Sequence, residues 1–275
     1  MNIDYLNSQS MLCATRLDVL YLVDVSCDDE TFPLLFDTGA SMTVVSKSTA
    51  ERLCAKQTNE TVIGGGNAGS RFTAATVLIP RIMIGCAVLK DLKAVVVDDN
   101  ALDFGEDGHG NHLCINGFLG WDVIQHFRWW FDTQDSCFIM AKPNVAQVES
   151  NMENWDNMPI IRVKLNGKDE LFGFDSGNTE TVLGNRLYSR LTDAKEVTDS
   201  FAGIDGVKEE RVRSVENFNV QIGQQIVTLC EVPAVDRQIF PTKNEDICGL
   251  LAADILKGRN WTLDYFNRFF EIQNQ

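Results

Sequence analysis

Slid along itself by 138 residues, this 275-residue chain meets its own pattern a second time. Leu35-Phe36-Asp37-Thr38-Gly39 falls on Gly173-Phe174-Asp175-Ser176-Gly177, Thr43-Val44-Val45 on Thr181-Val182-Leu183, and Ile84-Gly85 on Ile222-Gly223. Val97-Asp98 still meets Val235-Asp236; beyond it the offset becomes 132. Ile115, Gly117, Leu119 and Asp122 then meet Ile247, Gly249, Leu251 and Asp254, and Trp129 meets Trp261. The difference of six residues sits in one loop, Asn100 to Cys114, longer in the first copy. Length alone allows one large domain or two modest ones. The duplication predicts two lobes of one design.

Each copy opens on a strand pattern, Leu20–Val25 and Ile160–Leu165, and the alternation of Val163 and Leu165 with Lys164 is that of a half-buried strand. Further strands are expected at Thr73–Ile79, Ala94–Val97, Phe138–Met140, Val212–Ile222, Ile226–Val232 and Phe269–Ile272. Short helices are expected at Lys47–Leu53, Asn185–Leu191, Asp122–Phe127 and Asp254–Gly258. The fold class is therefore all-β: two pseudo-symmetric barrel-like lobes with a few short helices. The expected division is an N-terminal extension (1–16), lobe 1 (17–142), a linker rich in Asn, Glu and Pro (143–158) and lobe 2 (159–275).

Composition narrows the function classes. With 44% hydrophobic and 23% charged residues the chain is not largely disordered. Its net charge of -15 would repel a phosphate backbone, so no nucleic-acid partner is expected. There is no secretory signal and no run of 18 uncharged apolar residues, so a cytoplasmic location away from membranes is expected. The eight cysteines are widely spaced, which fits reduced thiols; Cys27, Cys54 and Cys86 sit among apolar residues and read as small core hydrophobes.

An isolated Asp-Thr-Gly is usually a turn, in which Asp bonds its own backbone and Gly accepts a positive φ. Here two such triplets follow apolar runs ending in Phe, at matching places in a repeat. Both carboxylates then leave a strand partly buried, where a lone charge is costly. A two-fold arrangement of the lobes would bring Asp37 and Asp175 to the axis.

In these features the chain resembles the aspartic peptidases of the pepsin and retroviral type, from about residue 17 to residue 273. The resemblance rests on the two triplets and on the later elements Phe118-Leu119-Gly120 and Leu250-Leu251-Ala252. It also rests on the Gly-rich segments Ile63-Gly64-Gly65-Gly66-Asn67-Ala68-Gly69 and Phe201-Ala202-Gly203-Ile204-Asp205-Gly206. The lobes are short, so the chain looks like two retropepsin-like units fused in one, and less like pepsin. The resemblance implies an active site between lobes, with Asp37 and Asp175 catalytic and Gly120 and Ala252 packed near them. It implies flap hairpins over an extended polypeptide substrate, with Gly64, Gly65, Gly66, Phe72, Phe201 and Gly203 as flap or substrate-binding residues. No metal or organic cofactor is implied, and because one chain supplies both Asp residues, a monomer suffices for catalysis.

Two carboxylates about 3 Å apart cannot both ionise, so they share a proton. The ionised one would act as base on a water while its partner donates to the scissile carbonyl. Thr38 and Ser176 carry hydroxyls suited to cross-lobe hydrogen bonds that fix the dyad. Gly39 and Gly177 would permit a sharp turn and close approach of backbone to substrate. The chain departs from the family at three places. Ala40 and Asn178 lack the hydroxyl usual in pepsin-type enzymes, which should raise the dyad's pKa values and favour activity nearer neutral pH. Ala252 stands where a Gly is expected, which could misplace the dyad; with the unusual Asn178 it leaves open a catalytically weak or inactive peptide-binding protein as the alternative to an endopeptidase. Neither flap carries the pepsin Tyr, and Phe72 or Phe201 is a candidate to pack there instead.

Other patterns carry less. Gly64 to Gly69 matches G-x-G-x-x-G, but a strand follows it instead of the helix that pyrophosphate binding needs. His109, His112 and Cys114 beside Asp103, Glu106 and Asp107 have no standard zinc spacing and read as an acidic surface loop. His126 reads as a surface residue. Trp129, Trp130, Phe131, Trp261, Phe266, Phe269 and Phe270 read as core beneath the dyad or between lobes.

Overall fold

Alternating and apolar stretches become strands almost throughout the computed structural model, which describes residues 1–65, 71–106, 112–155, 157–192, 194–204, 206–239 and 246–274. The chain is mostly β, in two barrel-like lobes. The expected strands are present and generally longer than their apolar cores, as Arg71–Ile84 and Gly206–Ile222 illustrate. Among the described residues, α-helices are confined to Lys47–Arg52, Trp121–Ile124 and Asn185–Tyr188, with 3₁₀ turns at Asp99–Leu102 and, in place of the expected helix at Asp254–Gly258, at Ala253–Leu256. None of the described helices is long and apolar enough to cross a membrane.

One topological device recurs in both halves. Glu30–Phe36 runs to Asp37 and pairs in parallel with Gly117–Leu119, which pairs antiparallel with Val44–Ser46 beyond the Asp-Thr-Gly turn. In the second half, Lys168–Asp175 pairs in parallel with Ile247–Ala252, which pairs antiparallel with Val182–Leu183. A short apolar strand is thus wedged between the strand entering each turn and the strand leaving it. This wedge holds the turn's backbone from both sides.

A sheet crosses from one half to the other. Arg128–Asp132 pairs with Arg259–Asp264, with Phe131 opposite Trp261 and Trp129 opposite Leu263. Since Trp129 aligns with Trp261 and Phe131 with Leu263, these two pairs are the same contact made twice, which is the signature of a two-fold relation. Cys137–Ala141, Gln9–Leu17 and Phe269–Asn274 extend the sheet. The residues ahead of the repeat are therefore ordered strands: Gln9–Leu17 lies in this sheet and Asn2–Tyr5 pairs with Ala87–Val97. Within the 143–158 stretch, Met152–Glu153 forms a short strand against Ile160–Ile161.

Aromatic rings fill the space beneath that sheet. Phe36, the residue before Asp37, packs on Trp129, Phe138 and Trp261 at centroid distances of 4.9, 5.0 and 5.9 Å. Phe131 stacks on Trp261 at 5.7 Å, and Phe174 packs on Phe270 at 4.9 Å. Trp129, Phe131, Trp261 and Phe270 are core, as expected, whereas Trp130 and Phe269 are half-buried and Phe266 is exposed. Phe266 lies in the Tyr265–Arg268 turn, outside the alternation of the two strands that flank it. Cys86 is buried and Cys27 half-buried, but Cys54 is exposed: it follows the Lys47–Arg52 helix with φ at 50°, and this left-handed step turns its side chain outward. The seven cysteines with described side chains are free thiols.

Candidate active site

The site begins with two buried hydroxyls. Thr38 Oγ1 donates to the Phe174 carbonyl at 2.7 Å and accepts from Ser176 N–H at 2.9 Å. Reciprocally, Ser176 Oγ donates to the Phe36 carbonyl at 2.7 Å and accepts from Thr38 N–H at 3.1 Å. Four hydrogen bonds thus tie one Asp-[Thr/Ser]-Gly turn to the other across the lobes. With both hydroxyls buried, losing either one would orphan partners that water cannot reach, at about 1–3 kcal/mol per group.

This lock places Asp37 against Asp175. Their carboxyls hydrogen-bond to each other. Asp37 also accepts from Gly39 N–H and Ala40 N–H, each at 2.9 Å, and Asp175 from Gly177 N–H at 2.9 Å. Burial raises both carboxyls above the ordinary carboxylate range, and Asp175's charge pushes Asp37 further up; the amide bonds oppose this without cancelling it. Asp37 is 8% exposed.

The glycines have a role beyond the one expected. A Cβ on Gly39 would overlap the carboxyl of Asp175, and a Cβ on Gly177 would overlap that of Asp37. Each glycine makes room for the opposite lobe's carboxyl. The expectation of backbone approach to substrate looked within each triplet, whereas the constraint comes from the other one.

A further pair of residues in each half braces the turn. Thr43 donates to Asp122 Oδ1 through N–H at 2.8 Å and Oγ1 at 2.9 Å, and Thr43 Oγ1 accepts from Gly120 N–H at 3.2 Å. The second half repeats this: Thr181 donates to Asp254 at 2.8 and 2.7 Å, and Ala252 N–H donates to Thr181 Oγ1 at 3.1 Å. Burial pushes Asp122 up to about 6 and raises Asp254 as well. The signal for these four residues was present, since Thr43 aligns with Thr181 and Asp122 with Asp254, but a Thr and an Asp 79 residues apart carry no motif. Ala252 keeps the bond that Gly120 makes, so its methyl does not displace this bracing.

The Gly-rich segments lie on hairpins. Lys56–Gly65 pairs with Arg71–Ile84, bringing Gly64 opposite Phe72 and Gly65 opposite Arg71. The ring of Phe72 covers Gly64, where a Cβ would meet it at 2.5 Å. Gly66, with the rest of the tip, lies outside the described residues. The second hairpin, Lys195–Gly203 with Gly206–Ile222, closes with Gly203 opposite Gly206. Phe72 and Ile204 pack on an apolar cluster of Leu35, Val44, Ala74 and Phe118 that also reaches Ala40 and Met42. The second hairpin, at Ile204, therefore reaches an apolar cluster of the first lobe. Phe201 instead packs within its own lobe, on Val182, Val212 and Val235, with Arg237 over its ring at 5.7 Å. A cavity of about 550 Å³ opens beside the first hairpin, lined by Ala50, Phe72, Ala74, Val97, Ala101 and Ile204 among others. Neither Asp lines it, so the site is defined by the carboxyl pair and not by this cavity.

Of the grouping around His112 and Cys114, the backbone of His112–Cys114 pairs with Asp103–Glu106, while Asp107 and His109 fall outside the described residues. No group of three or more His, Cys, Asp or Glu able to hold a metal occurs among the described residues. His126 is exposed.

Comparison with known proteins bears on the first lobe. Residues 23–123 match the family model described as aspartyl protease, a stretch running from within Leu20–Cys27 into the Trp121–Ile124 helix. No curated protein matches the chain.

Proposed function

We propose that this chain, recognised as an aspartic peptidase of the retropepsin type by its match over residues 23–123, is a single-chain endopeptidase with Asp37 and Asp175 as its catalytic dyad. The observation that carries this reading is the pair of mutually hydrogen-bonded carboxyls, one from each half, held by the reciprocal Thr38 and Ser176 bonds.

In this mechanism the pair shares one proton. The ionised carboxylate takes a proton from a water whose oxygen attacks the scissile carbonyl carbon, while the protonated partner gives its proton to the carbonyl oxygen. The tetrahedral diol then collapses: the C–N bond breaks as the dyad returns a proton to the leaving nitrogen. Neither carboxyl bonds to carbon, so the protein supplies position and protons only. Substrate lies extended between the lobes, adding strand-like main-chain bonds, with the two hairpins as flaps over it. One chain provides the whole site and works as a monomer.

The alternative, a peptide-binding protein without turnover, rested on Ala252 and Asn178. Ala252 retains its Thr181 bond and Asn178 retains its carbonyl bond to Ala253 N–H at 2.9 Å, so neither observation favours it. The test is cleavage of a degenerate peptide library by the wild type and by Asp37→Asn and Asp175→Asn. Both variants should keep the fold and lose all cleavage, and a hydroxyl-containing transition-state analogue should block the wild type. Undiminished cleavage in either variant would sink the reading.

A further inference from the structure

Two thiols face each other across the sheet that joins the lobes. In the antiparallel pairing of Gln9–Leu17 with Cys137–Ala141, Cys13 stands directly opposite Cys137. Opposite residues project to the same face of a sheet. On Gln9–Leu17 that face carries the exposed Met11 and Thr15, while Leu12 and Ala14 turn toward the interior.

The bonding phase of the ladder sets how close the two thiols come. Ala14 N–H donates to the Ser136 carbonyl at 3.0 Å, so Ala14 and Ser136 occupy a hydrogen-bonded position. Such positions alternate along an antiparallel pair, which makes Cys13 and Cys137 a non-hydrogen-bonded pair. Cα atoms there are about 4.5 Å apart and side chains are at their closest. Disulfides span Cα separations of roughly 4.4–6.8 Å, so the bond needs no movement of the backbone. Both thiols are free, Cys13 exposed and Cys137 buried.

We propose that Cys13 and Cys137 form an oxidisable pair that closes to a cross-strand disulfide by exchange with a small disulfide of the glutathione type. The exposed Cys13 thiolate attacks one sulfur of the small disulfide, releasing one reduced thiol and leaving a mixed disulfide. Cys137, losing its proton, attacks Cys13 Sγ and releases the second thiol. The protein gives up two hydrogens and the small disulfide is reduced to two thiols. Burial, the nearby Asp132 and Asp135, and Cys13 all raise the Cys137 thiol, so the second step quickens as pH rises. The bond would tie Gln9–Leu17, the strand ahead of the repeat, to the sheet shared by both lobes. The proposal does not depend on the peptidase reading.

The experiment equilibrates the full chain in glutathione buffers of graded oxidation, alkylates free thiols under denaturing conditions and maps the peptides. A linked peptide joining Cys13 to Cys137, reversed by dithiothreitol and absent in Cys13→Ser and in Cys137→Ser, is the expected result. Oxidation should also raise the melting temperature of the wild type and not of Cys137→Ser. Glutathione remaining on Cys13 with Cys137 still alkylatable would overturn the proposal. So would a product linked elsewhere without the Cys13–Cys137 bond, such as one between the neighbouring Cys27 and Cys54.

Discussion

Each carboxyl of the pair occupies the space that a side chain on the opposite glycine would need. Gly39→Ala should therefore part the carboxyls while leaving both in the protein, and a displacement near 1 Å can cost about 100-fold in rate. We expect a loss of at least that size in kcat/KM on a peptide substrate, with a folded circular dichroism spectrum. Titration gives a second expectation. Both carboxyls sit above their ordinary value of 3.8 in the folded chain, so between that value and the raised one the folded state holds protons that the unfolded state has released. Stability attributable to the pair is thus greatest in acid and falls as pH rises through this window. Thermal melts should show that slope, and Asp37→Asn should flatten it. The same shift moves the singly protonated dyad toward neutral pH, so a pH–rate profile with an optimum below about 4 would contradict it. At this scale the sequence exposed both aspartates, since identity and spacing suffice to find them. It did not expose the further constraint on the glycines, because that comes from a residue in the other half of the chain, 136 positions away for Gly39.

Elements differ in how much they owe to local pattern. Leu20–Cys27 and Ile160–Leu165 were legible because alternation alone places one face inward. Gln9–Leu17 was passed over because its inward residues, Ser10, Leu12 and Ala14, make only a weak apolar stripe. It is a strand because Cys137–Ala141 and Leu20–Cys27 offer edges on both sides. The wedge strands show the same dependence. A Cβ on Gly120 would lie 2.5 Å from Met42 C and 2.6 Å from Thr43 N, so Gly120→Ala should cost about 1–3 kcal/mol by overpacking. The second lobe already carries the methyl at Ala252, where the backbone runs at φ −112° instead of the −87° of Gly120. Ala252→Gly should therefore cost less than about 1 kcal/mol, mainly through chain entropy. Urea unfolding of the two variants should rank them in that order; equal losses would mean that the two wedges pack alike.

Across the whole molecule the halves are not independent. Arg128–Asp132 takes its partner from Arg259–Asp264, and Phe36 packs on Trp261 as well as on rings of its own half. A chain ended after residue 158 would leave the Arg128–Asp132 edge and the faces of Phe36 and Phe131 uncovered. Such a fragment should unfold or self-associate through the bared edge, and sedimentation should show no folded monomer. Trp261→Ala, which empties the space shared by Phe36, Phe131 and Phe138, should cost the full chain about 3–5 kcal/mol.

What the sequence determined by itself was the repeat, the β character and the two aspartates, because periodicity and residue identity are properties of the chain read in order. Only the tertiary structure decided that the aspartates touch, that each glycine clears the other's carboxyl, and that Thr43 and Thr181 hold Asp122 and Asp254. It also decided that the residues ahead of the repeat belong to the sheet. Those facts depend on distances between residues far apart in the chain, and packing of one half against the other sets them.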